Sequence, residues 1–195
     1  MPTGYRNYLS LKHEHKTIPY GGVGKIREDG DANYGFKNIK GNNRLLDTIP
    51  ELKSDPALMT LVKAINAPNT GLISIGCVSD RYEDKNRFRH SGYVEFSFNS
   101  TSYIADAAHY FPLFFNFEHL LEKNDFTVKV EFNWSIQPAT FIDKNVTGYS
   151  CTIYLNTYLI DSEKAAIKAW EETLNLLAQY LGNIPVEHTD YIFAI

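Results

Sequence analysis

Cysteine is scarce, with only Cys77 and Cys151 in 195 residues. That excludes a disulfide-stapled scaffold, and since both fall on the apolar parity of strand-like patterns they read as buried thiols in a reducing compartment. Apolar residues never run on for the roughly 20 positions that span a bilayer, and the opening Met1-Pro2-Thr3-Gly4-Tyr5-Arg6 lacks the apolar stretch of a signal peptide. The expectation is a soluble, cytoplasmic protein with no membrane partner. Positive charge is not in excess either: 19 Lys and Arg against 23 Asp and Glu leave a net −4. A chain of that sign has no bulk attraction to phosphate backbones, so nucleic acid is not an expected partner.

Catalytic and cofactor motifs are also missing. Gly21-Gly22-Val23-Gly24-Lys25 resembles a phosphate loop, but Pro19 stands where the first glycine belongs and Ile26 where Ser or Thr should follow the lysine. Asp29-Gly30-Asp31-Ala32-Asn33 starts like a calcium loop, yet Tyr34 replaces the turn glycine and Lys40 the bidentate glutamate. No cofactor and no metal is implied, and a binding role is favoured over an enzymatic one.

What is present is period. Phe126, Val128, Val130, Phe132, Trp134 and Ile136 alternate with polar residues, as do Tyr149, Cys151, Ile153 and Leu155. Alternation of this kind gives strands with one dry and one wet face. Ile167, Trp170, Leu174, Leu177 and Leu181 then follow the three-and-four spacing of one helical face, with Asp161 or Ser162 as cap and Gly182 and Pro185 as stop. Upstream, Asp55 and Pro56 mark a helix start before Leu58, Leu61, Val62 and Ile65. Ile73, Ile75 and Cys77 form a strand, Asp80 to His90 a charged connector, and Val94, Phe96 and Phe98 its hairpin partner. A third helix begins near Ser102 and must kink or restart at Pro112.

This order predicts one α+β domain over residues 1–195, an antiparallel sheet of four to five strands with helices packed on one face. Within it, residues 16–54 read as a glycine-rich, turn-forming or mobile segment. Tyr5 to His15 suggests a short first strand carrying Leu9, Leu11, His13 and His15 on one parity. The apolar Tyr191 to Ile195 should dock on the core, add an edge strand or reach a second subunit.

The polar sheet face is the main candidate site. Tyr93, Glu95, Lys129, Glu131, Tyr154 and Tyr158 should project from it and recognise a protein partner, a second copy of the chain in a homodimer, or a small molecule by stacking and hydrogen bonding. Two other readings stand beside it. Glu95 with Glu131, or His13 with His15, could serve a glycoside-directed or metal-assisted hydrolase. The chain could also be a structural subunit of a larger assembly, held by its apolar C-terminal residues. The charged stretch holding Arg81, Lys85, Arg87 and Arg89 reads as a solvated hairpin tip.

Overall fold

The computed structural model describes residues 4–19, 36–185 and 189–194. Its centre is one six-stranded sheet formed by β1 (Tyr5–Leu11), β2 (Lys16–Ile18), β3 (Leu72–Asp84), β4 (Arg87–Phe98), β5 (Val130–Phe141) and β6 (Val146–Thr157). The spatial order is β1-β5-β6-β4-β3, with β2 continuing along β5 beyond the end of β1. The sheet is mixed, which corrects the antiparallel expectation. β1 and β2 run parallel to β5, while the β5-β6, β6-β4 and β4-β3 pairs are antiparallel.

Among the described residues five α-helices accompany the sheet: α1 (Pro50–Ser54), α2 (Pro56–Ile65), α3 (Thr101–Ile104), α4 (Phe111–Leu121) and α5 (Glu163–Leu181). The α4 start places Pro112 in a first turn, where its missing N–H costs no helix bond, so the chain restarts there after a 3-10 turn at Ala107–Tyr110. Ser162 caps α5 by accepting the Ala165 N–H. α5 lies over β4 and β6, α2 packs on α5 and β3, and α4 reaches β1, so the apolar sheet face carrying Val94, Phe96, Phe132, Trp134, Ile153 and Leu155 is sealed.

One carboxylate ties three of these elements together. Asp55 Oδ1 accepts the Ala57 and Leu58 N–H groups at the head of α2, at 3.1 and 3.0 Å. Its Oδ2 accepts the Ser79 hydroxyl from β3 and the Trp170 indole N–H from α5, both at 2.6 Å. Trp170 reaches it by lying across Gly92 of β4, where an added Cβ would stand 3.0 Å from the indole ring. A second polar anchor is Lys40, 4% exposed. Its ammonium donates to the carbonyls of Ala67, Thr70 and Leu72 at 2.6 to 2.8 Å and to the Thr70 hydroxyl, joining the turn after α2 to the start of β3. Burial pushes its pKa down to about 8.

Three local expectations change. The hairpin of β3 and β4 has no long connector: both strands run on to a two-residue turn at Lys85 and Asn86, whose φ of 49° and 62° give the primed turn that suits strand twist. A bulge between Ser74 and Gly76 switches parity, so Ile73 and Cys77 face opposite sides of the sheet. Residues 16–54 contain ordered elements, namely β2, a 3-10 turn at Asn43–Thr48 and α1, while their glycine-rich part at 20–35 lies outside the described residues, as does the whole phosphate-loop-like stretch. The C-terminal residues dock on the chain's own core. Asn99 pairs with both backbone groups of Phe193 at 2.8 and 2.9 Å, and the Phe193 ring packs against Phe36 and Phe141. No helix among the described residues is long and apolar enough to cross a membrane.

Candidate functional site on the polar sheet face

Strand register assembles this face. Arg6, Glu131, Asn156 and Ser91 lie in one cross-strand row, and Tyr8, Asn133, Tyr154 and Tyr93 in the next. Just past the end of β6, the Tyr158 N–H bonds to the Lys129 carbonyl at 3.1 Å, which sets these two side chains beside each other. The Lys129 ammonium sits 4.8 Å and the Arg6 guanidinium 5.9 Å from the Tyr158 ring centre, and the Tyr158 hydroxyl donates to Glu131 at 3.1 Å. Burial, followed by that carboxylate, holds the Tyr158 phenol above its ordinary range. Lys12 stands 5.5 Å over Tyr154, whose ring meets Tyr93 at 5.8 Å. Tyr8 at 46%, Tyr82 at 45% and Tyr154 at 37% remain exposed.

At this end of the sheet a pocket of about 430 Å³ opens between Arg87, Arg89, Glu131, Asn156 and Tyr158. Arg87 donates to the Leu159 carbonyl at 2.9 Å. Arg89 lies over Tyr82 at 4.7 Å, and its Nε is buried with no hydrogen-bond partner. A buried guanidinium donor without an acceptor is costly, and an incoming anion would supply one.

Glu95 does not belong to this open surface. It is 2% exposed, forms an ion pair with Lys16 of β2 and accepts the Ser150 hydroxyl at 2.9 Å. Its neighbours Ser97, Ser135 and Thr152 are buried too. The far half of the face is covered: Phe193 lies on Phe141, and the Ile104 carbonyl of α3 approaches Gly148 where a side chain would stand. Tyr93 marks the border, its phenol pushed up to about 12 by burial and then by Glu95. Glu95 and Glu131 are therefore separated. Their backbones sit two strands and four residues apart, roughly 16 Å. The Glu95 carboxylate points toward Lys16 and Ser150, and Glu131 toward Tyr158, in opposite directions along the sheet. A glycosidase pair needs about 5–9.5 Å.

No protein-family model, characterised protein or solved structure matches the chain.

Function must then be argued from the face itself. His13 and His15 lie in the link between β1 and β2 rather than on a strand, so strand parity does not align them. His15 Nε2 stands 3.0 Å from the Thr140 hydroxyl, and no three His, Cys, Asp or Glu side chains gather as metal ligands among the described residues. Of the six candidates read from the sequence, Lys129, Glu131 and Tyr158 meet at one end, Tyr93 and Tyr154 touch beside them, and Glu95 is buried apart. Arg6, Arg87 and Arg89 join the site without having been singled out for it, beside Asn156, which strand parity places on this face. A usable signal was the interleaving of Tyr82 and Phe88 with Arg87 and Arg89, which places cations beside rings across a hairpin.

Proposed function

We propose that this chain is a binding protein that docks an acidic segment of another protein on the exposed end of its polar sheet face. The observation that supports it most is the pocket between Arg87, Arg89 and Tyr158, which is lined by two guanidinium groups and one carboxylate, Glu131, has the exposed Asp161 3.6 Å from Arg87 Nε at its edge, and holds a buried, unpartnered Arg89 Nε. Arginine and tyrosine are the residues that carry binding energy at protein interfaces, because each brings a large rigid surface and a polar end at little entropic cost. Here Arg6 and Lys129 against Tyr158, and Lys12 near Tyr154, fix both kinds of group before a partner arrives. On a chain of net charge −4 such a surface steers an acidic partner to one place and orients it.

The test is photocrosslinking in the native host from a benzophenone side chain at position 154, with position 142 as a reference, since Ile142 is exposed elsewhere. A partner captured from 154 and lost when Arg87 and Arg89 are both changed to Glu supports the reading. Capture that survives this charge reversal, or that is equal from 142, removes it. Capture of a second copy alone would assign the face to self-association.

A further inference from the structure

We propose that a second pocket, between the C-terminal residues and the start of α4, binds a small neutral aromatic molecule with one hydrogen-bond donor, of the phenol or indole class. The cavity measures about 350 Å³, is walled by Phe98, Tyr103, His109, Leu113, Ile184 and Tyr191, and shares no residue with the arginine pocket. That volume lies at the small end of ligand sites, roughly 300–1,000 Å³, so it admits a bicyclic ring and no partner helix.

The chemistry of the walls narrows the ligand. None of the described lining residues is Asp, Glu, Lys or Arg, so among them a charged ligand would lose its hydration without gaining a counter-charge. Two polar residues at the wall are already engaged: Asn99 with both backbone groups of Phe193, and the Ser100 hydroxyl with Asp190 at 2.8 Å. His109 is different. Its Nδ1 lies 2.8 Å from the Tyr103 carbonyl oxygen, which can only accept, so Nδ1 carries the proton and the neutral ring keeps Nε2 as an acceptor. Stacking on Tyr103, at 4.6 Å and 21°, holds that ring in place. An aromatic ligand gains edge and face contacts with Phe98, Tyr103 and Tyr191, and its donor meets the acceptor that the Tyr103 carbonyl fixes at His109 Nε2.

Indole and benzothiophene, the same shape with and without an N–H, are the probes, titrated into the full chain by calorimetry and by amide chemical-shift mapping at neutral pH. Indole is expected to bind saturably with a dissociation constant below about 1 mM, within what nine heavy atoms can supply, and to shift Ala108 and Tyr191 but not Glu131 and Asn156. Ala108→Trp, at an exposed position on the rim, should weaken binding tenfold or more. His109→Phe should weaken indole at least fivefold and benzothiophene less than twofold. The absence of saturable binding, shifts confined to other surfaces, or full affinity in a folded Ala108→Trp would each overturn the site. An equal loss of both probes in His109→Phe would overturn the donor requirement. The shift map needs no variant, so a misfolded substitution does not prevent the site from being tested.

Discussion

Replacing Asp55 withdraws one acceptor group from four donors at once, and the cost can be worked out donor by donor. In Asp55→Ala the Ala57 and Leu58 N–H groups lose their cap, which typically costs about 0.5–2 kcal/mol. The buried Trp170 indole N–H loses its acceptor, for about 1–3 kcal/mol. Ser79 is partly exposed and can turn to water. The expected loss is about 1.5–5 kcal/mol, which stays below all but the lowest of the roughly 5–15 kcal/mol that holds a domain together, so the variant should remain folded and measurable. Asp55→Asn is more selective, because an amide oxygen can still cap α2 while the amide N–H₂ opposes the indole N–H. In a Trp170→Phe background that conflict disappears. A double-mutant cycle of the two changes should therefore give a coupling of about 1.5–3 kcal/mol, as for hydrogen bonds to charged groups. Urea unfolding followed by far-ultraviolet circular dichroism reads it without relying on tryptophan emission, provided the denaturant slopes agree. Coupling within about 0.5 kcal/mol of zero, or an Asp55→Ala loss below about 1 kcal/mol, would refute the reasoning.

Two further outcomes can be measured. Burial holds the folded Lys40 pKa at about 8 against 10.5 for a solvated lysine, so between those values the unfolded chain holds the extra proton and this residue's contribution to stability rises with pH. The Cys77 thiol and Tyr93 phenol, both raised by burial, act in the opposite sense above about pH 8.5. The quantity to follow is therefore the urea midpoint of the parent chain minus that of Lys40→Met from about pH 7 to 10.5, which should increase, and a constant difference would contradict the assignment. Asp190 accepts the Ser102 N–H and the Thr101 and Ser100 hydroxyls, and these bonds hold its carboxyl well below the ordinary range. Its contribution is complete above about pH 4 and is lost as pH falls toward the folded value, so Asp190→Asn should speed hydrogen exchange in Ile192 and Phe193 at about pH 7; unchanged exchange would show that the Asn99 bonds suffice alone.

The elements legible in the sequence were those whose signal is local. The α5 stripe and the Asp55–Pro56 start of α2 could be read because cap, period and stop all lie within one segment. The alternation of Phe132, Trp134 and Ile136 gave β5 its faces for the same reason. The parallel pairing of β1 was invisible, since nothing in Tyr5–Leu11 specifies a partner at Val130–Ile136. Parity correctly put Glu95 and Glu131 on one face but could not tell which half of that face the chain covers with its own Phe193 and Ile104. The charged hairpin hid its strands because both of its faces near the tip meet water. Its primed turn is formed by Lys85 and Asn86, without the glycine that usually announces one.

The seam between β1 and β5 has a consequence for the order of events on the ribosome. Tyr5 pairs with Val130, 125 residues later (130 − 5), so at about 5–20 residues per second β1 waits between roughly 6 and 25 s for its neighbour to be synthesised. The β3-β4 hairpin closes through a two-residue turn as soon as it is made, but β1 must be kept from pairing with it. The exposed Arg6 helps here: charge on an unpaired strand discourages premature docking. The β5-β6 and β6-β4 seams close after the β1 seam, once Val146–Thr157 has been made, but of the strands in the sheet β1 waits longest for its neighbour.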